Sequence, residues 1–202
     1  MKTGILRLLP LLAAAHLCAC ATAPDRPAAT AAVSPKPSRP MELSTPLRTV
    51  PKVDLPRYMG DWRVIANIPY FAERGKVDTI EGYQLLPDGE IDNTFTFRKK
   101  DFTAPQKSYH FKAEVVNKQS NAEWRVKFLP FIKVAYLIID LDPDYQWTVV
   151  GHPSRKYGWI MAREKTLPDA TYQSILTRLG EQGYDPSKFV KVPQLPSQLS
   201  GQ

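Results

Sequence analysis

The first 57 residues contain no Phe, Trp or Tyr, although the chain of 202 residues has eight Phe, four Trp and nine Tyr. A segment without aromatic side chains has little with which to build a core, so the folded unit begins near Tyr58. Cysteine is equally confined: Cys18 and Cys20 are the two in the chain. No disulfide can staple a domain that follows them, and its stability must come from packing. Histidine is scarce. His16 lies in an N-terminal apolar run, and His110 and His152 have no partners at metal-site spacing. Asp140, Asp142 and Asp144 imitate the start of a calcium loop, but Tyr145 and Gly151 stand where that loop needs Gly and Glu. A nucleophile elbow, a phosphate-binding glycine loop and a dinucleotide fingerprint are all missing. These absences argue against an enzyme, a metal and a cofactor. The net charge is +7, yet Lys and Arg are scattered rather than gathered in a stripe. Nucleic acid is therefore not the expected partner, whereas weak attraction to anionic lipid headgroups remains compatible.

What is present starts with a leader. Lys2 and Arg7 precede an apolar run over 8–17, which is too short to span a bilayer as a helix. This predicts a signal peptide over 1–19. Leu17-Cys18-Ala19-Cys20 resembles the bacterial lipobox, and Cys20 is the cysteine that fits lipidation. Cys18 fits poorly because Leu17 would occupy the small-residue position. The resemblance implies a mature chain starting at an acylated Cys20. Each buried acyl CH2 contributes about 0.8 kcal/mol to anchoring. Ala21, rather than Asp, follows the cysteine; under the sorting rule of model Gram-negative bacteria this implies the outer membrane. The stretch 20–47 is expected to be the lipidated cysteine and a disordered Pro/Ala-rich tether, and it holds six prolines. The folded domain is expected over 48–193 and a disordered tail over 194–202.

Within the domain the signal is alternation. At Gly60-Asp61-Trp62 a strand begins whose Trp62, Val64, Ala66 and Ile68 face one way and whose Arg63, Ile65 and Asn67 face the other. Further strands are predicted over 80–86, 91–98, 107–116, 122–128, 134–141, 146–150 and 157–163, separated by turn signals such as Pro87-Asp88-Gly89 and Asp142-Pro143-Asp144. The strand at 134–141 is apolar on both faces, as if covered on its outer side. Eight strands on short connections suit an antiparallel up-and-down barrel wide enough for one small ligand. The period then changes. Thr166 is a candidate N-cap, and Tyr172, Ile175, Leu176 and Leu179 form one helical stripe, with Gly183 as a stop. A short ninth strand follows at 188–192. The fold class is thus all-β: an eight-stranded barrel with one C-terminal helix packed outside. The inferred inner faces carry Phe95, Phe97, Tyr109, Phe111, Trp124, Val126 and Tyr136, which could line a hydrophobic ligand or simply fill the barrel.

Gly60-Asp61-Trp62 at the first strand, Asp142 to Tyr145 after a late strand and Arg163 at the end of the eighth resemble the three short motifs of the lipocalins. The stretches around Leu55-Pro56-Arg57-Tyr58, Phe71-Ala72-Glu73-Arg74-Gly75 and Gly183-Tyr184-Asp185-Pro186 are similar to bacterial outer-membrane lipoprotein lipocalins of the apolipoprotein D-like subgroup. The resemblance implies that Gly60, Trp62 and Arg163 are structural, with Arg163 lying across Trp62 at the closed end. It implies a binder of fatty acids or lysophospholipids in membrane maintenance or stress, held at the membrane by its lipid anchor, with a homodimer as a compatible assembly. A carrier of a pigment or porphyrin-like ligand is the alternative, and a lipocalin-type enzyme a further one. The bulky segment 128–134, with Lys133, departs from the glycine-rich segment of relatives, so headgroup preference is not carried over.

Overall fold

A computed structural model describes residues 45–129 and 131–199. The expected signal peptide, Cys20 and the tether up to residue 44 lie outside the described residues. The elements are helix α1 (Leu55–Tyr58), strands β1 (Gly60–Asn67), β2 (Lys76–Leu85), β3 (Ile91–Lys99), β4 (Lys107–Val115), β5 (Glu123–Leu129), β6 (Ile132–Leu141), β7 (Trp147–Gly151) and β8 (Gly158–Ala162), helix α2 (Asp169–Glu181) and strand β9 (Val190–Lys191). Each strand from β1 to β8 pairs antiparallel with the next, and β1 also pairs with β8. The sheet therefore closes into an eight-stranded barrel without a free edge. β9 adds outside this ring, on the far end of β1.

Two apolar clusters hold the fold. Inside the barrel are Trp62, Val64, Tyr83, Ile91, Trp124, Tyr136, Ile138 and Met161. Outside it, Leu137, Ile139, Val149 and Ile160 lie under Tyr172, Ile175 and Leu179 of α2. β6 is apolar on both faces for this reason: Tyr136 and Ile138 point inward, Leu137 and Ile139 toward the helix. No helix among the described residues is long and apolar enough to cross a membrane.

Local chemistry shifts several expected boundaries. The helix starts at Asp169 rather than near Thr166, because Pro168 disfavours a helical conformation at the residue before it. Pro168 itself stands at the N-cap and supplies no side-chain cap. The turn α1 was not expected; Asp54 caps it by accepting the Arg57 N–H at 3.2 Å. The alternation of β1 breaks at a bulge between Val64 and Ala66. There the Ile65 carbonyl accepts the Val192 N–H at 2.9 Å, tying in the chain just past β9. Trp62 and Val64 thus face the barrel interior, but Ala66 and Ile68 join the cluster beneath α2. A disordered tail from 194 is corrected at its beginning. Gln194 is buried and its Nε2 donates to the carbonyls of Val64 and Thr79 at 2.8 and 3.0 Å. A 3-10 turn, Pro196–Leu199, follows.

One end of the barrel is shut by a single guanidinium. Arg163 Cζ lies 3.7 Å from the centre of the Trp62 ring. Its Nη1 donates to the Asp61 carbonyl at 2.8 Å, and its Nη2 to the carbonyls of Arg57, Tyr58 and Met59 at 2.8, 3.2 and 2.9 Å. The indole N–H of Trp62 donates to the same Tyr58 carbonyl at 2.8 Å. Gly60, at φ +89°, lets β1 leave α1 beneath that guanidinium, a backbone angle that an L-side chain would strain. Because α1 offers its last carbonyls in one direction, only a planar fork of donors satisfies them together. Arg163→Lys keeps the charge and loses the fork. It is expected to lower unfolding stability by about 2–3 kcal/mol in a urea titration, and an unchanged midpoint would contradict this role.

Candidate ligand-binding site in the barrel

Above the Trp62 floor the barrel is filled by rings. Trp124 and Tyr136 stack with centroids 4.8 Å apart, and Tyr58 and Tyr83 meet Trp124 edge-on at 5.4 and 5.6 Å. Their polar atoms are all engaged. Tyr136 Oη bridges Tyr58 Oη at 2.8 Å and Tyr83 Oη at 3.0 Å, and the Trp124 N–H donates to the Asn121 carbonyl at 2.7 Å. Burial pushes the hydroxyls of Tyr58, Tyr83 and Tyr136 well above the ordinary phenol range, so they remain neutral donors at any physiological pH.

The next layer carries charge. Glu81 faces inward beside Trp62 in the β1–β2 register and accepts from Asn93 Nδ2 at 2.8 Å. It is surrounded by the barrel yet keeps some accessible surface, and burial pushes its carboxyl up to about 8. Glu73, on the β1–β2 connection, accepts from the Trp159 indole N–H at 3.1 and 3.2 Å and from the Asn67 amide. Burial raises it to about 7, against the pull of those hydrogen bonds. Lys76 opens β2 and lays its ammonium on a set of rings: 3.3 Å from the Phe97 centre, 4.7 Å from Phe95 and 5.2 Å from Tyr109. Burial lowers its ammonium to about 8. A cavity of about 10 Å³ between Glu73, Asn67, Thr79 and Phe95 is water-sized. A larger cleft of about 110 Å³ lies outside the barrel between α2, β6 and β7. It is walled by Asp140, Arg178 and Glu181 together with Ile139, Val149 and Leu179, apart from the barrel interior.

The interior opens toward the other end. Along β4, β5 and β6 the inward-facing residues change from buried Ala113, Trp124 and Tyr136, through half-buried Phe111, Val126 and Val134, to exposed Tyr109, Phe128 and Ile132. β4 and β5 pair only from Lys112↔Lys127 to Val115↔Trp124. Beyond that they part, and Phe111 and Phe128 stack at 5.5 Å across the gap. The result is a shallow apolar cup whose wall includes the unpaired ends of β4 and β5.

Seven interior residues were expected to line a ligand, and the structure distributes them over three layers. Trp124 and Tyr136 belong to the filled floor layer. Phe95 and Phe97 are buried under the Lys76 ammonium. Tyr109, Phe111 and Val126 face the cup. Gly60, Trp62 and Arg163 meet at the closed end, and Cys20 lies outside the described residues. Sequence reasoning missed Tyr58, Glu73, Lys76, Tyr83 and Glu81. The available signal was the period of β2, which puts Glu81 on the same face as Tyr83.

Residues 53–194 match the family model of the lipocalin-like domain. The chain is a lipocalin. It is 36% identical over 159 residues to temperature-induced lipocalin-1 of Arabidopsis thaliana, covering 73% of this chain and 83% of that one. It is 31% identical over 189 residues to outer membrane lipoprotein Blc of Escherichia coli strain K12, covering 94% and 98%. Among solved structures, insecticyanin of Manduca sexta superposes with TM-score 0.60 at 18% identity, over 75% of this chain and 86% of that one. The amine binding protein of Rhodnius prolixus, solved with tryptamine, superposes with TM-score 0.54 at 15% identity, over 78% and 87%. These two likenesses concern the fold alone. Lipocalins bind small hydrophobic ligands, and this barrel offers an aromatic interior for one.

The buried carboxyl has a pH signature. Glu81 prefers its neutral form in the fold at up to about 8, while the unfolded chain ionises it near 4.5. Its contribution is therefore complete below pH 4.5 and is lost as pH rises through 8. Glu81→Gln mimics the neutral form. Its melting temperature relative to wild type is expected to rise by about 3–6 °C between about pH 5 and pH 8.5 in calorimetry. A pH-independent difference would mean that Glu81 is not held neutral.

Proposed function

We propose that this lipocalin is a lipid-anchored protein of the Gram-negative outer membrane that binds a single-chain acidic amphiphile, a fatty acid or lysophospholipid, in the cup at its open end. The observation that carries this reading is the apolar wall of Tyr109, Phe111, Val126 and Phe128, inward-facing yet open to solvent. The acyl chain lies along that wall, where each buried CH2 contributes about 0.8 kcal/mol. The head, a carboxylate or a phosphate, meets the Lys76 ammonium at the top of the filled layer, as a point charge that accepts either group. Glu81, held neutral below it, belongs to the polar layer that sets the depth at which the head stops. The anchor is the acylated Cys20, and of the expected tether over 20–47 the last residues, Thr45 and Leu47, rest on the barrel. Two relatives, an outer membrane lipoprotein and a temperature-induced lipocalin, support a place in the envelope and a part in stress. The protein acts as a binder and carrier rather than a catalyst.

Native mass spectrometry of delipidated protein, titrated with palmitate, lysophospholipid and a long-chain alcohol, tests the reading. One-to-one complexes are expected with both acids. Phe111→Ala with Phe128→Ala is expected to weaken them about tenfold or more. Lys76→Met should weaken the acids and spare the alcohol. Absence of any complex with either acid would sink the proposal.

A further inference from the structure

The rim of the open end combines apolar tips with unpaired basic charge. Phe71, on the β1–β2 loop, is 85% exposed, and Phe131, on the β5–β6 turn, is 98% exposed. Leu129 and Ile132 flank the second tip at 53% and 49%. Large apolar side chains gathered at one end of a domain mark an interaction surface. The same end carries Arg74, Lys99, Lys100, Lys107 and Lys156, all exposed, and none of the five has an ion pair among the described residues. The exposed acid of these loops, Asp101, is engaged by the Thr103 hydroxyl and by the N–H groups of Thr103 and Ala104. The hairpin loops of the closed end, by contrast, carry Asp88, Glu90, Asp142 and Asp144 against the single basic Lys118. The barrel is thus charged asymmetrically along its axis, positive where it is apolar.

A second observation comes from where the N-terminal chain enters the domain. The Thr45 carbonyl accepts from Arg155 Nη2 in the β7–β8 loop, and Leu47 packs near Gly151 at the end of β7. In that same loop Tyr157 meets Tyr70 edge-on at 5.7 Å, and Tyr70 meets Phe71 at the same distance. The first described residue, Thr45, is therefore held at the open end, one loop away from Phe71.

We infer that the open rim is a docking surface for an anionic lipid bilayer, with Phe71 and Phe131 set into the headgroup layer and the five basic side chains above it, so that the mouth faces the membrane. Interfacial binding of this kind couples buried aromatic area to attraction for anionic lipids. A second copy fits the rim poorly, because joining two such ends would bring two positive rings together. The inference rests on the rim and on the entry point of the chain, not on what the cup holds.

Full-length protein, exported and processed, is mixed with vesicles of phosphatidylcholine alone or with added phosphatidylglycerol, and amide exchange is followed. Mass spectrometry of the N-terminal peptide records separately whether Cys20 is acylated, so anchor and rim fail independently. On phosphatidylglycerol vesicles at low salt, exchange in the loops around Phe71 and Phe131 is expected to slow by about fivefold or more. High salt should reverse much of that protection, and the closed-end loops should be unaffected. Phe71→Ser with Phe131→Ser should abolish the protection while leaving the affinity for palmitate unchanged. Protection of the closed end, no protection at the rim, or equal rim protection without vesicles, which would mean self-association, each overturns the inference.

Discussion

Everything in this barrel hangs from the Arg163 guanidinium. A closed sheet has two open ends, and an end exposed to water would wet the apolar interior. Arg163 seals one of them by joining the carbonyls of α1 and the start of β1, 102 to 106 residues away, to the β6–β7 connection, whose Tyr145 carbonyl it reaches at 3.4 Å. Its apolar underside is the Trp62 indole. The cation thus gains a ring face, worth about 0.5–2 kcal/mol, and the backbone gains donors for the last carbonyls of α1. The Asp54 N–H, held by the Tyr145 hydroxyl at 2.8 Å, extends the same closure to the chain preceding the barrel.

With one end sealed, the interior can be graded. The tyrosines and tryptophans nearest the seal pack at distances that leave little space, and their hydroxyls satisfy one another. One layer up sit Glu81, Glu73 and Lys76, all three moved toward neutrality by burial. Placing two carboxyls and one ammonium inside a barrel is costly unless they are neutral or solvated. Their position where packing gives way to accessible space meets that condition. The apolar wall then resumes in the parted strands β4 and β5. The order from the seal outward is filled, polar, apolar and open.

Much of this architecture was legible in the sequence, because alternation with a period of two is a direct imprint of a sheet with a wet and a dry face. The eight strands, the outer helix with its Tyr172, Ile175 and Leu179 stripe, and the doubly apolar β6 all followed from spacing. The pairing of Gly60-x-Trp62 with Arg163 came instead from likeness to a family, since no local rule links positions a hundred residues apart. Local rules failed where tertiary contacts override them. The bulge at Ile65 reverses the faces of β1 to meet the segment after β9, and nothing in the run Val64-Ile65-Ala66 announces it. Glu81 was passed over because a charged residue in an alternating strand is ordinarily an outward one. Lys76 belongs to a strand start that sequence alone placed four residues later. Phe71 and Phe131 stand in loops, where an aromatic residue carries no periodic signal.

The hydroxyl bridge from Tyr58 through Tyr136 to Tyr83 limits how such a barrel can vary. Trimming one of these rings would leave its neighbours with an unmet donor or acceptor in a dry place, so the bottom of the cup cannot be deepened one residue at a time. Depth is in effect a fixed zero point. Guests of different length must therefore differ in how far they project past the rim rather than in how deep they reach. A floor of this kind holds any guest to a constant base, like a gauge read at its open end.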